Sequence, residues 1–242
     1  MTGLIALVGA GEYLAVMDGV DRHLLNSVRA DGRAPRVVCL PTAAGQEGPA
    51  SVGRWMKMGV EHFSALGAAA TALPIIDRLS ADNPQYEPVL EDADLIYFSG
   101  GDPTYLLETI VGSRMWDAAK RAWAGGAVYA GCSAGAMIMG KHVPNIRRLG
   151  MGRNDGLAIL PVEYIIPHFD HAGPFKRFVS LLRRGLRDDQ LMLGIDEDTA
   201  LVGTVDGSWK VMGSGQVHLM SRNGGQSFGV AEIVPIPPRG GS

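Results

Sequence analysis

Apolar residues in the first half of the chain come in short unbroken runs rather than in alternation with polar ones. Leu4 to Val8, Arg36 to Leu40, Thr71 to Pro74 and Leu95 to Ser99 are runs of this kind. Strands buried on both faces read this way, so each run predicts a strand of a parallel sheet. Between them the apolar positions recur at helical spacing, over Ala15 to Ala30, Ser51 to Leu66, Tyr105 to Ile110 and Ser113 to Ala124. Pro103 sits well for a first helical turn. A fifth run, Ala127 to Ala130, is followed by a small, helix-compatible stretch, Ala134 to Met139. Strands alternating with helices predict a parallel sheet covered by helices on both faces.

The last third changes character. Phe175 to Leu186 reads as an amphipathic helix. Gln190 to Ile195, Ala200 to Thr204, Trp209 to Met212 and Gln216 to Leu219 are short and separated by Gly and Asp, which predicts antiparallel hairpins added to the sheet edge. No linker, charge run or low-complexity block divides the chain, so residues 1–234 are expected to form one α/β domain. Residues 235–242 are Pro/Gly-rich and are expected to be a flexible tail.

Composition narrows the function class. The net charge of −3 comes without a basic stripe, which gives nucleic-acid binding little support. Arg147-Arg148 and Arg183 to Arg187 are the Arg-rich stretches, and the second reads as a solvated helix face. No apolar run is long enough to span a membrane, and Met1 to Val8 lacks the basic start of a signal peptide. Cys39 and Cys132 both sit in apolar contexts and read as buried thiols rather than a disulfide, so a cytoplasmic protein is expected.

Gly131-Cys132-Ser133-Ala134-Gly135 carries the most chemistry. It fits the G-x-S-x-G nucleophile elbow, in which a serine on a sharp strand-to-helix turn presents its hydroxyl outward. Backbone N–H groups at the following helix start are available to a developing oxyanion. A Gly-rich βα turn of an ordinary parallel sheet is the alternative. The Gly9-Ala10-Gly11-Glu12 turn after the first strand invites a dinucleotide reading, but Leu14 stands where a third glycine is needed, which favours a simple tight turn. A nucleophilic serine needs a base. His23 and His62 lie in helical patterns and His218 in a late hairpin, with no special neighbours in sequence. His168 follows the strand-like Tyr164-Ile165-Ile166-Pro167, at a strand end where parallel-sheet sites collect, with His171 as its rival. Gly100-Gly101-Asp102 ends another strand, and a glycine N–H there could also serve an oxyanion.

Together these pieces resemble the cyanophycinase and aspartyl dipeptidase (peptidase E) family of serine peptidases. The resemblance rests on Phe98-Ser-Gly-Gly-Asp102, Gly131-Cys-Ser-Ala-Gly-Ala136, Pro167-His-Phe169 and Gly194-Ile-Asp-Glu-Asp-Thr-Ala200, in matching order over nearly the whole chain. It implies a three-layer α/β/α sandwich of the class I glutamine amidotransferase-like (flavodoxin-like) kind. It implies Ser133 as nucleophile, His168 as base and the N–H groups of Gly101 and Ala134 as oxyanion hole, with no metal or cofactor. The expected substrate is a short peptide or isopeptide, and a homodimer is left open.

The chain also departs from that family. Members carry an acid soon after the serine to orient the histidine, whereas His142 to Met151 holds none. Asp155 is the first carboxylate after Ser133 and is the expected third member, with Glu163 and Asn154 as alternatives. Aspartyl dipeptidases end the glycine loop in Asn, which contacts an acidic substrate residue, whereas Asp102 here would repel one. Asp102 and Arg177 are candidate substrate contacts. Arg177 and its neighbour Lys176 stand about where the family has a binding arginine, although a solvated helix face accounts for them equally well. Two other classes remain: a non-catalytic relative that binds a small ligand or partner, and an amidotransferase-like enzyme using Cys132, which the elbow would point inward.

Overall fold

In the computed structural model the described residues are 3–28, 30–144, 153–171, 173 and 176–238. The chain opens β1 (Ile5–Val8), α1 (Asp18–Ser27), β2 (Arg36–Leu40), α2 (Pro49–Ala65), β3 (Ala69–Ala72), α3 (Arg78–Ala81), α4 (Glu87–Glu91), β4 (Leu95–Phe98), α5 (Pro103–Ile110), α6 (Arg114–Ala124) and β5 (Val128–Cys132). It continues with α7 (Ala134–Met137), β6 (His142–Pro144), β7 (Arg153–Asp155), β8 (Tyr164–Ile166), α8 (Lys176–Arg184), β9 (Leu191–Ile195), β10 (Thr199–Gly203), β11 (Trp209–Gly213), β12 (Val217–Ser221), β13 (Gly225–Phe228) and β14 (Ile233–Val234).

The main sheet has the order β14-β11-β10-β1-β5-β4-β2-β3. From β1 to β3 every pairing is parallel, and from β1 to β14 every pairing is antiparallel. Successive residues of each central strand feed opposite faces, as the two-residue strand period requires. Ala6, Val8, Val37, Cys39, Tyr97 and Ala130 pack with Val20, Leu24 and Leu25 of α1 and Phe63 of α2. Ile5, Leu7, Val38, Leu40, Phe98 and Tyr129 pack with Leu106 and Ile110 of α5 and Trp116 and Ala119 of α6. The expected α/β architecture, with helices on both faces and antiparallel strands at the C-terminal end, is the one observed. Local signals set the helix starts. Asp102 caps α5, accepting from Thr104 N–H at 2.9 Å and Tyr105 N–H at 3.1 Å, with Pro103 in the first turn. Ser113 caps α6 by accepting from Trp116 N–H at 3.1 Å.

The late strands correct the sequence reading. Only β10, β11 and β14 extend the main sheet, while β9, β12 and β13 join β8 in a second sheet of order β13-β12-β9-β8. Strand spacing cannot distinguish these destinations. The division falls at Asp196 to Asp198, where Asp198 takes φ +52° and the chain passes from one sheet to the other. Gly9 N–H donates to Thr199 O at 2.9 Å and starts β10 beside β1. In the second sheet Ile165, Leu193 and Val217 join the main core, while Tyr164, Ile166, Met192 and Met220 pack with Val179 and Leu186 at α8. The ribbon of β6 and β7 was not expected.

Boundaries shift in two other places. The first helix is a 3₁₀ turn, Ala15–Met17, followed by α1, and the third strand starts at Ala69 because its N–H donates to Pro35 O at 2.8 Å. Of the expected tail, Ile236 is buried against the core and residues 239–242 lie outside the described residues. Arg147-Arg148 and the helix start expected at Phe175 also lie outside them.

Candidate active site

Ser133 stands at the carboxyl end of β5, the central strand between β1 and β4, where ligands of open α/β sheets bind. Its backbone takes φ +47° and ψ −103°, a costly conformation for a side-chain-bearing residue, and α7 begins at the next residue. The turn holds because Ser133 N–H donates to Val8 O at 2.9 Å and Ser133 O accepts from Met137 N–H at 2.9 Å. Its side chain caps nothing, so the hydroxyl is left facing the cleft. Only glycine fits at 131, since a Cβ there would lie 2.5 Å from the carbonyl of Gly135. Ser133 Oγ lies 3.2 Å from Nε2 of His168.

His168 follows β8 of the second sheet, with φ +50°. Its Nδ1 lies 2.6 Å from Oε1 of Glu197. Glu197 belongs to the crossing between β9 and β10, and its N–H donates to Asp170 Oδ1 at 2.9 Å. Burial works to raise the Asp170 carboxyl, but the N–H groups of Glu197, Asp170 and His171 and the charge of His171 outweigh it and hold Asp170 below the usual carboxylate range. His171 Nδ1 is 3.3 Å from the second oxygen of Glu197, whereas the serine hydroxyl meets His168. Behind His168, the Phe169 ring packs against His218, with ring centres 4.5 Å apart and planes tilted by 35°. His218 in turn meets buried Asp196 at 3.0 Å and Ser227 at 2.8 Å, partners that its sequence position did not signal.

The carboxylate beside His168 is the main correction. Asp155 was expected at His168, but it lies on the β6–β7 ribbon with its side chain 94% exposed, 3.4 Å from His142. The alternatives are elsewhere too: Glu163 meets Lys141 at 2.9 Å and His142 at 3.5 Å, and Asn154 donates to Thr104 Oγ1 at 2.9 Å. β6 and β7 pair with each other, and this holds both Asp155 and Asn154 away from His168. Glu197 was missed, although it lies inside the Gly194–Ala200 stretch singled out above.

Gly100 and Gly101 end β4 beside the serine. Gly101 takes φ +144° and runs so close to Ala43 that a Cβ would lie 2.4 Å from its carbonyl carbon, so this position requires glycine. Glu12 ties the loops together: Oε1 accepts from Gly100 N–H at 2.8 Å and Oε2 from the Cys132 thiol at 2.9 Å. Burial, followed by the Glu12 charge, pushes the Cys132 thiol far up, so the thiolate needed for attack is not available. Asp102 Oδ1 caps α5, and Arg177 lies exposed on α8. A cleft of about 250 Å³ opens at Ser133 and His168. A larger one, about 590 Å³, lies at the opposite ends of β4 and β5, where Arg33 pairs with Asp94 and Arg121 with Glu91, and it holds none of this chemistry.

A strained serine at a strand end, a histidine in reach and a carboxylate behind that histidine form the kind of arrangement that serine-type hydrolases use. Residues 5–208 match Peptidase family S51, so the chain belongs to that family, the cyanophycinase and peptidase E family of serine peptidases. It is 29% identical over 172 residues to the cyanophycinase of Geminocystis herdmanii (strain PCC 6308), covering 66% of this chain and 62% of that protein. It is 28% identical over 204 residues to the cyanophycinase of Nostoc sp. (strain PCC 7120), covering 79% and 65%. The chain thus spans less than two thirds of the length of these relatives. The crystal structure of a peptidase from an acI-B1 Actinobacterium superposes with a TM-score of 0.87 at 35% identity, covering 97% of both chains.

Proposed function

We propose that the protein hydrolyses a short peptide or isopeptide through Ser133, His168 and Glu197. One observation carries this reading: Ser133 Oγ lies 3.2 Å from Nε2 of His168, whose Nδ1 lies 2.6 Å from Glu197. Ser133 Oγ attacks the scissile carbonyl and its proton passes to Nε2. Glu197 accepts from the Nδ1–H, which fixes the tautomer and stabilises the imidazolium. The N–H groups of Gly101 and Ala134 receive the oxyanion. Collapse of the tetrahedral intermediate breaks the C–N bond, His168 returns the proton to the leaving amine, and an acyl-enzyme remains. Water, deprotonated by His168, adds to the ester, and release of the acid restores Ser133. The carboxylate of Glu197, 2.6 Å from His168, favours this reading over a non-catalytic relative that binds a small ligand or partner.

The test is covalent labelling by an aryl phosphonate diester, in which the serine oxygen displaces a phenol from phosphorus. The expected result is one modified residue, Ser133, with no labelling of Ser133→Ala. Labelling that persists in Ser133→Ala, or its complete absence from the unsubstituted protein, would overturn the reading.

A further inference from the structure

The cleft at Ser133 has a one-sided chemistry. Pro103 opens α5 along one wall, Met137 ends α7 below the serine, and Pro144 and Ile166 come from β6 and β8. Phe178 and Val179 of α8 close the remaining side. The polar side chains among the described lining residues are Ser133, His168 and His171, which belong to the reacting centre or its edge. No Lys, Arg, Asp or Glu side chain lines the cleft among the described residues. Of the carboxylates beside the lining residues, Glu197 faces His168 and His171, Asp170 Oδ1 accepts from the Glu197 N–H, and Asp102 Oδ1 caps α5. A charged substrate side chain entering here would lose its hydration and meet no counter-charge among the described lining residues. An apolar one would leave water for a surface that is apolar on several sides.

We propose that this cleft selects an uncharged apolar side chain, of the Leu, Met or Phe class, on the residue whose carbonyl Ser133 attacks. The assignment rests on Ser133 being the nucleophile and deepens that reading. It runs opposite to the acidic side chain that the aspartyl dipeptidase resemblance would suggest. α8 supplies one apolar wall, because Phe178 and Val179 line the cleft.

The experiment uses a series of diphenyl aminoalkylphosphonates that differ only in side chain: isobutyl, benzyl, carboxymethyl and guanidinopropyl. The second-order rate of Ser133 labelling is measured for each. Isobutyl and benzyl should react at least about 10-fold faster than either charged probe, the range that one or two buried methylenes give. In Phe178→Arg, a half-buried position where a long cation is tolerated, the advantage of isobutyl over carboxymethyl should shrink about 10-fold or invert. Equal rates across the series, or a preference for a charged probe, overturn the apolar assignment while leaving Ser133 as nucleophile. An unchanged ratio in Phe178→Arg overturns the role of this cleft. Failure of every probe to label Ser133 overturns the hydrolase reading itself, and this inference with it.

Discussion

Glu197 contacts His168 on the nitrogen opposite the serine, the position from which a carboxylate orients such a ring. Replacing its carboxylate by an amide keeps the size but removes the charge that favours imidazolium. Glu197→Gln should lower the rate of Ser133 labelling by about 10²- to 10⁴-fold with the fold retained. Asp155→Asn should leave that rate unchanged, since Asp155 is nearly fully exposed on the β6–β7 ribbon. The reverse ranking would return the orienting role to Asp155. At the same scale, the sequence showed Ser133 and His168 for different reasons. Ser133 is marked by the glycines on both sides of it, a local steric requirement. His168 is marked by its place after an apolar strand, which says where it lies but not what it meets.

At the scale of elements, the site depends on three loops at the ends of β1, β4 and β5, and Glu12 joins them. It accepts from Gly100 beside the oxyanion loop and from Cys132 just before the elbow. Glu12→Ala should therefore let the Gly100–Gly101 turn drift from Ser133. The labelling rate should drop about 10- to 10²-fold, as sub-ångström misplacement of a site element does. Glu12→Gln should lose less, because its amide oxygen can still accept the Gly100 N–H. Equal rates for all three proteins would show that the loops hold position without the bridge. The Gly-Ala-Gly-Glu turn, which invites a dinucleotide reading, thus finds a different use. Its glycines let β1 end tightly, and the acid after them reaches across two neighbouring strands.

The molecule as a whole brings its three key residues from separate bodies. Ser133 comes from the main sheet, His168 from the second sheet, and Glu197 from the crossing between them. Phe169 wedges this junction, with its ring against Gly194, where an added Cβ would lie 2.5 Å away, and packed against His218. Phe169→Ala should cost the half-buried ring only about 1–3 kcal/mol of stability, a few degrees in melting temperature. It should also slow labelling by roughly 10-fold or more, because His168 loses the packing that fixes it. A large fall in melting temperature with an unchanged labelling rate would show that the junction serves the fold alone. The buried runs Leu4 to Val8, Arg36 to Leu40 and Leu95 to Ser99 were legible in sequence because burial on both faces leaves no polar position to interrupt them. The helix starts at Pro103 and Ser113, and the elbow at Ser133, were legible because caps and tight turns are set within a few residues. The division of the late strands between two sheets, and the choice of Glu197 over Asp155, were not. Glu197 lies 29 residues beyond His168. Their meeting follows from how the second sheet docks on the first, which is settled by packing between distant segments and leaves no periodic trace in the chain.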